Sequence, residues 1–245
     1  MKSKNTLLQQ ILLVFIALTA LVSCQTSFEI GSKKGNGKIV KQTRRIAEKF
    51  DKIEVDTGIA LIVTQNDITS LEIETDENIQ SLITTKVENG VLIVSSKESF
   101  NTADSPKVSV SLPVISSLKS SSGATITNGN TIKTTSLIVD SSSGSEIILD
   151  VEADYISMES TSGSEITVSG KALKAETSSS SGSDIDAGKL MANEVFSQVS
   201  SGSSTKVYPI LILKGKASSG GDIKYKNIPK NIEKEENSGG NISQY

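Results

Sequence analysis

The 245-residue sequence contains no histidine and no tryptophan, a single cysteine, four prolines and only 4% aromatic residues. Each shortage excludes something. Without His the chain lacks the one side chain that ordinarily titrates near neutrality, and with it the usual general base and metal ligand. One Cys allows neither an internal disulfide nor a thiolate cluster for zinc. Twenty-eight acidic residues outnumber 25 basic ones, a formal charge of −3. No positive surface is therefore available to displace counterions from nucleic acid, and no nucleic-acid partner is expected. Phosphate loops and dinucleotide fingerprints are also missing: Gly35-Asn36-Gly37 has neither the later glycine nor the helix that would give it meaning.

What is abundant is Ser, Thr, Ile and Val, a composition that favours thin, regular β layers filled by aliphatic side chains. The length suffices to bury a core without crosslinks or metals. One apolar run is present near the start, Ile11 to Leu18, preceded by Lys2 and Lys4 and followed by Leu21-Val22-Ser23-Cys24. A basic start, a short apolar core and a small residue before a cut describe an export signal peptide, residues 1–23. Leu-Val-Ser-Cys resembles the bacterial lipobox, which implies lipidation of Cys24 and a membrane contact through a lipid anchor. Several acyl chains are needed for stable attachment, since each buried methylene contributes about 0.8 kcal/mol. The expected location is the cell envelope, at the outer membrane, on either its surface or its periplasmic side. Gln25 to Lys38 is polar, with Gly31, Gly35 and Gly37, and residues 24–44 are expected to form a flexible stalk whose basic run from Lys33-Lys34 to Arg44-Arg45 is solvated.

The second half repeats. Ser-Gly corners recur at Gly123, Gly144, Gly163, Gly182, Gly202, Gly220 and Gly239, at intervals of 21, 19, 19, 20, 18 and 19 residues. Three residues after each glycine stand Ile126, Ile147, Ile166, Ile185, Thr205, Ile223 and Ile242. Seven residues before each glycine from Gly144 onward stand Leu137, Ile156, Ala175, Val195, Leu213 and Ile232. If each repeat is one coil, equal positions stack about 4.8 Å apart into inward apolar ladders, as in a parallel β-helix. The glycine would supply positive φ at a corner, and the Ser hydroxyls could bond local backbone there.

Before Gly123 strands continue without a visible repeat, among them Lys52 to Val55, Ala60 to Thr64, Ser70 to Thr75 and Lys107 to Leu112. Asn89-Gly90 signals a hairpin. The expectation is an all-β, head GIN-like solenoid over 45–245 with coils of about 19 residues. Residues 45–120 would form irregular N-terminal coils as a cap and 121–245 the regular Ser-Gly repeats.

The order of motifs is a lipobox, Phe50-Asp51-Lys52-Ile53-Glu54-Val55, Leu71-Glu72-Ile73-Glu74-Thr75-Asp76-Glu77-Asn78, Asn89-Gly90-Val91-Leu92-Ile93 and then serial Ser-Ser-Gly-x-x-Ile. It resembles the head GIN family of autotransporter-adhesin-like domains, common in lipoproteins of Bacteroidetes-type bacteria, from about residue 45 onward. The resemblance implies a right-handed parallel β-helix and an adhesive role in the envelope. It brings no catalytic or ligand residues.

Parallel β-helices also host polysaccharide lyases, so an enzyme is the natural rival. The only arginines, Arg44 and Arg45, lie upstream of the coils, and the serines recur at equivalent turn positions, Ser169 beside Lys171 included. No catalysis and no cofactor are expected. Glu146, Glu165, Asp184 and Asp222 share the position two after the repeat glycine and would stack into an acidic stripe, a weak calcium candidate interrupted by Ser204. The leading reading is an envelope-anchored adhesin or binding module for a protein or glycan. Others are a periplasm-facing structural lipoprotein and, after that, a polysaccharide-active enzyme. Homo-oligomers are compatible with flat β-helix faces.

Overall fold

The computed structural model describes residues 32–245, all strand and loop; the expected leader 1–23 and Cys24 lie outside the described residues. Short strands come first: β1 (Lys33–Lys34), β2 (Ile39–Thr43), β3 (Lys52–Val55), β4 (Ala60–Gln65), β5 (Ser70–Asp76), β6 (Ile83–Glu88), β7 (Val91–Ser96), β8 (Phe100–Asn101), β9 (Lys107–Leu112), β10 (Ser117–Ser120) and β11 (Thr125–Asn128). Long bent strands follow, β12 (Ile132–Ser142), β13 (Glu146–Thr161), β14 (Glu165–Ser180), β15 (Asp184–Val199) and β16 (Ser204–Ala217). The series ends with β17 (Asp222–Tyr225), β18 (Asn231–Glu236) and β19 (Asn241–Gln244). The long strands pair in parallel one coil apart, Ile147 with Ile166, Ile166 with Ile185 and Ile185 with Thr205. A β-solenoid results, as the repeat predicts.

Each coil turns on two successive left-handed residues. The repeat glycines have φ between 68° and 78°, and the serine before each has φ between 48° and 60°. Two central residues at positive φ make a type I′ turn, closed for example by Ala124 N donating to Ser121 O at 3.1 Å. The corners also bind one another. Gly123 N donates to Ser143 O, Gly144 N to Ser162 O and Gly163 N to Ser181 O, each at 3.2 Å.

Inside, the two apolar columns are buried as expected, with one exception. Leu137, Ile156, Ala175, Val195 and Leu213 are at most 2% exposed, but Ile232 is 39% exposed, because among the described residues no strand covers the outer side of β18. Beside the corner the interior is polar. Ser141, Ser160 and Ser179 on one side of the turn and Ser145, Ser164 and Ser183 on the other are buried. The first set closes its own corner, Ser160 Oγ donating to Ser164 O at 3.0 Å, and the second crosses between coils: Ser164 Oγ donates to Ser141 O at 2.7 Å and Ser183 Oγ to Ser160 O at 2.6 Å. Buried hydroxyls satisfied in this way avoid the penalty of an unpaired polar group. Thr205, in the isoleucine column and fully buried, has a hydroxyl with no partner.

The first half differs from the expected run of irregular coils over 45–120 in two ways. Its coils do stack in parallel on the regular ones, but not in chain order. The coil of β3 and β4 is sandwiched between β10 and β11 on one side and β7 and β9 on the other. Between β4 and β7 the chain adds antiparallel strands, with β5 on β9 and β6 on β7. The Asn89-Gly90 hairpin forms as read, with φ of 52° and 78°.

The flexible stalk expected over 24–44 is corrected for its described part from residue 33. β2 pairs antiparallel with β5, from Ile39 opposite Asp76 to Thr43 opposite Glu72, and β1 pairs with β8. Arg44 Nη1 donates to Ile83 O at 2.7 Å and Nη2 to Gln80 O at 2.8 Å, so this guanidinium caps carbonyls of the fold instead of forming part of a solvated basic run. The open edge of β5 supplies partners to a polar segment that could not bury a core of its own.

Three substitutions test this account by urea denaturation. Thr205→Val removes the partnerless hydroxyl at constant shape and is expected to stabilise by about 1 kcal/mol. Gly163→Ala meets open space and is expected to cost about 1 kcal/mol for its left-handed backbone. Gly170→Ala, whose Cβ would stand 2.0 Å from Val151 O, is expected to cost more than about 3 kcal/mol. Equal losses for the two glycines would contradict the packing described.

Candidate functional site

The second halves of β12 to β16, with β10 and β18, pair in parallel, and their outward residues run in files across the coils. Strand alternation sends Ile156 and Met158 inward, and therefore Tyr155, Ser157 and Glu159 outward. In register, Tyr155 neighbours Lys174, Glu176 neighbours Phe196, and Phe196 neighbours Lys214. Two half-buried aromatic rings, two lysines and a carboxylate therefore meet on a rigid face.

The contacts are close. Tyr155 Oη donates to Glu176 Oε2 at 2.7 Å, and Lys174 Nζ lies 2.6 Å from Glu176 Oε1. The same ammonium sits 4.7 Å from the centroid of the Phe196 ring and 5.5 Å from that of Tyr155, with Lys214 5.9 Å from Phe196. These are cation–π distances. The lysine ammonium and then the tyrosine hydroxyl hold the Glu176 carboxyl below its ordinary range, while the hydrogen bond to Glu176 pushes Tyr155 up. Glu176 also raises Lys174. On the neighbouring outward file, burial and then the Glu159 charge raise Asp140 against the opposing Lys119.

Beside this cluster a shallow polar trough crosses the coils. One part is lined by Glu159, Glu176, Ser178, Phe196 and Gln198. The next shares Ser178 and Gln198 and continues to Lys216, Glu235 and Asn237. A larger, wide-open depression of about 670 Å³ lies elsewhere on the coils, between Lys133, Glu152, Lys171 and the exposed Leu173 and Met191. It has no comparable convergence of aromatic and charged groups.

The acidic stripe forms as a stack but not as a cage. Glu146, Glu165 and Asp184 are successive register partners, Ser204 interrupts, and Asp222 follows. Asp222 is engaged by Lys224 at 3.3 Å and by Asn241 Nδ2 at 2.7 Å. Among the described residues no three acidic side chains converge as metal ligands. Ser169 donates to Asp150 Oδ2 at 2.9 Å, and Lys171 lines the open depression.

Comparison with known proteins agrees with the architecture. Residues 49–229 match the family described as "Putative auto-transporter adhesin, head GIN domain". A "putative adhesin" from Bacteroides fragilis superposes with a TM-score of 0.80 at 20% identity, covering 86% of this chain and 99% of that one. A "putative adhesin" from Parabacteroides merdae gives 0.71 at 19% identity, covering 88% and 99%. A "putative lipid binding protein" from Parabacteroides distasonis gives 0.70 at 19% identity, covering 86% and 98%. At these identities the likeness is one of fold. No curated protein matches the chain in sequence.

The cluster is expected to show in a spectrophotometric titration of the four tyrosines. Glu176→Gln removes the acceptor charge that holds Tyr155 protonated, so one tyrosine should ionise at lower pH than in the wild type. Superimposable titration curves would mean that the Tyr155–Glu176 contact is absent in solution. The stability contributed by Glu176 is present above its unfolded pKa and is lost as pH falls through the lower folded value, so Glu176→Gln should flatten that acid limb.

Proposed function

Because the chain belongs to the family described as "Putative auto-transporter adhesin, head GIN domain", we propose that it is a binding module of the cell envelope. In this reading it is lipid-anchored through Cys24 at the outer membrane and contacts a protein or glycan with the face around Tyr155, Lys174 and Phe196. The observation that carries it is the convergence of two rings and two ammonium groups on a rigid sheet beside a polar trough. Aromatic side chains with adjacent cations are the groups that dominate binding energy at protein surfaces. A sheet locked by backbone pairing from coil to coil presents them with little ordering cost. Leu21-Val22-Ser23-Cys24 supports the anchor. The family description speaks for adhesion rather than catalysis.

Two measurements test the proposal. Immobilised matrix proteins, envelope proteins and glycans are expected to retain the wild-type protein, with Phe196→Ala weakening the retained interaction about tenfold while leaving the fold intact. If no surface retains it, or if Phe196→Ala binds as the wild type does, this face is not the contact. Protease treatment of intact producing cells is expected to degrade the protein, and Cys24→Ser to release it from the membrane fraction. Full protection would favour a structural role facing the periplasm.

A further inference from the structure

The two ends of the stack are closed differently. At one end the antiparallel strands β5, β2 and β6 continue the sheet beyond the parallel coils. At the other, β18 and β19 pair inward with β16 and β17 and have no strand on their outer sides among the described residues. An edge of this kind offers unpaired N–H and C=O groups to any incoming strand.

In β19 the amides of Asn241 and Tyr245 point into the stack, donating to Gly221 O at 3.0 Å and Tyr225 O at 3.2 Å. Strand alternation therefore turns the N–H and C=O of Ile242 onto the free edge. Both are already occupied by side chains of the same coil. Glu236 Oε1 accepts from Ile242 N at 2.5 Å, and Lys234 Nζ donates to Ile242 O at 2.8 Å. Lys234 is further held by Tyr225, 3.2 Å from its hydroxyl and 4.8 Å from its ring centroid.

The positions of these two charges are unlike their counterparts in other coils. Register places Lys234 in the file of Gly215, Ser197 and Thr177, and Glu236 in that of Ala217, Val199 and Ser179, all buried. In the last coil alone these inward positions carry a lysine and a glutamate. A further coil stacked there would have to desolvate both.

We propose that Lys234 and Glu236 form a latch that shuts the last coil against β-strand addition, and that the partner it excludes is the same edge of a second copy of this chain. A two-fold axis would bring the two edges together in a closed, self-complementary junction. Ile232, 39% exposed at the end of the column that contains Leu213, would be covered there.

The test uses the full chain in detergent. Sedimentation velocity across a wide concentration range should show one unchanging species for the wild type and a concentration-dependent dimer for the Lys234→Ala, Glu236→Ala double variant. A double variant with wild-type circular dichroism that stays monomeric throughout overturns the proposal, as does growth into open polymers in place of a closed dimer. A second readout does not depend on association. At low concentration the Ile242 amide of Glu236→Ala should exchange with deuterium about tenfold faster than in the wild type. An unchanged rate overturns the latch even if the double variant fails to fold.

Discussion

The paired left-handed corner is the constraint from which the rest follows. Nine non-glycine residues in the described chain have positive φ, and seven of them are the serines immediately before the repeat glycines. An L-residue in that region costs roughly 1–2 kcal/mol, so the chain accepts this strain once per coil. It is offset by pairing, since the glycine N–H that the turn points outward meets the serine carbonyl of the adjacent corner. A corner of different shape would break that ladder for both neighbours. The period is therefore held near 19 residues, and irregularities collect elsewhere: the register slips between Thr167 and Ser169 and again between Ala187 and Met191.

The corner also dictates its own lining. Backbone that turns this tightly leaves little interior width, and short hydroxyl side chains fill it while bonding to carbonyls across coils. Where one member of the serine pair is missing, the remaining hydroxyl is satisfied by backbone: Ser120 Oγ donates to Ala124 O at 2.9 Å, and Ser203 Oγ, beside Val199, accepts from Ser183 N at 3.3 Å. Backbone groups at the corner therefore spare a lone buried hydroxyl the cost of going unpaired. At Ala217 and Gly221 both hydroxyls are gone. Thr205 shows the opposite situation, a hydroxyl placed in an aliphatic column where nothing can receive it.

What was legible in the sequence is what the corner repeats. Seven glycines with Ile126, Ile147 and Ile166 in step are enough to read coils, because inward positions stack on their own kind. One further corner escaped: Thr57 and Gly58, with φ of 61° and 65°, have the same geometry, and Leu61 three residues on sits in register with Ile126. Threonine in place of serine, and a gap of 65 residues to Gly123, hide it. That gap reflects a topology in which β5 to β9 form an outlying cap before β10 returns to the other side of β3. Local pattern cannot encode which strand a parallel strand will join. The same limit explains the stalk, since nothing local in Ile39 to Thr43 tells of the open edge of β5 waiting for it.

The face around Tyr155 and Phe196 was hidden for a related reason. Tyr155 and Lys174 stand eight residues before their glycines, and Glu176 and Phe196 six before theirs, as periodic as the inward column that lies between them. Periodicity identifies a position, however, and only a uniform requirement fills it uniformly. Stacking demands aliphatic residues inside and two permissive residues at the corner; it asks almost nothing of the outward files. This accounts for a TM-score of 0.80 at 20% identity, since a small share of the positions in each coil suffices to specify the stack. It also means that neighbours sharing the solenoid carry no information about one another's ligands. Specificity in such a protein has to be sought in the outward files, where Tyr155, Lys174 and Phe196 are present without being needed by the fold.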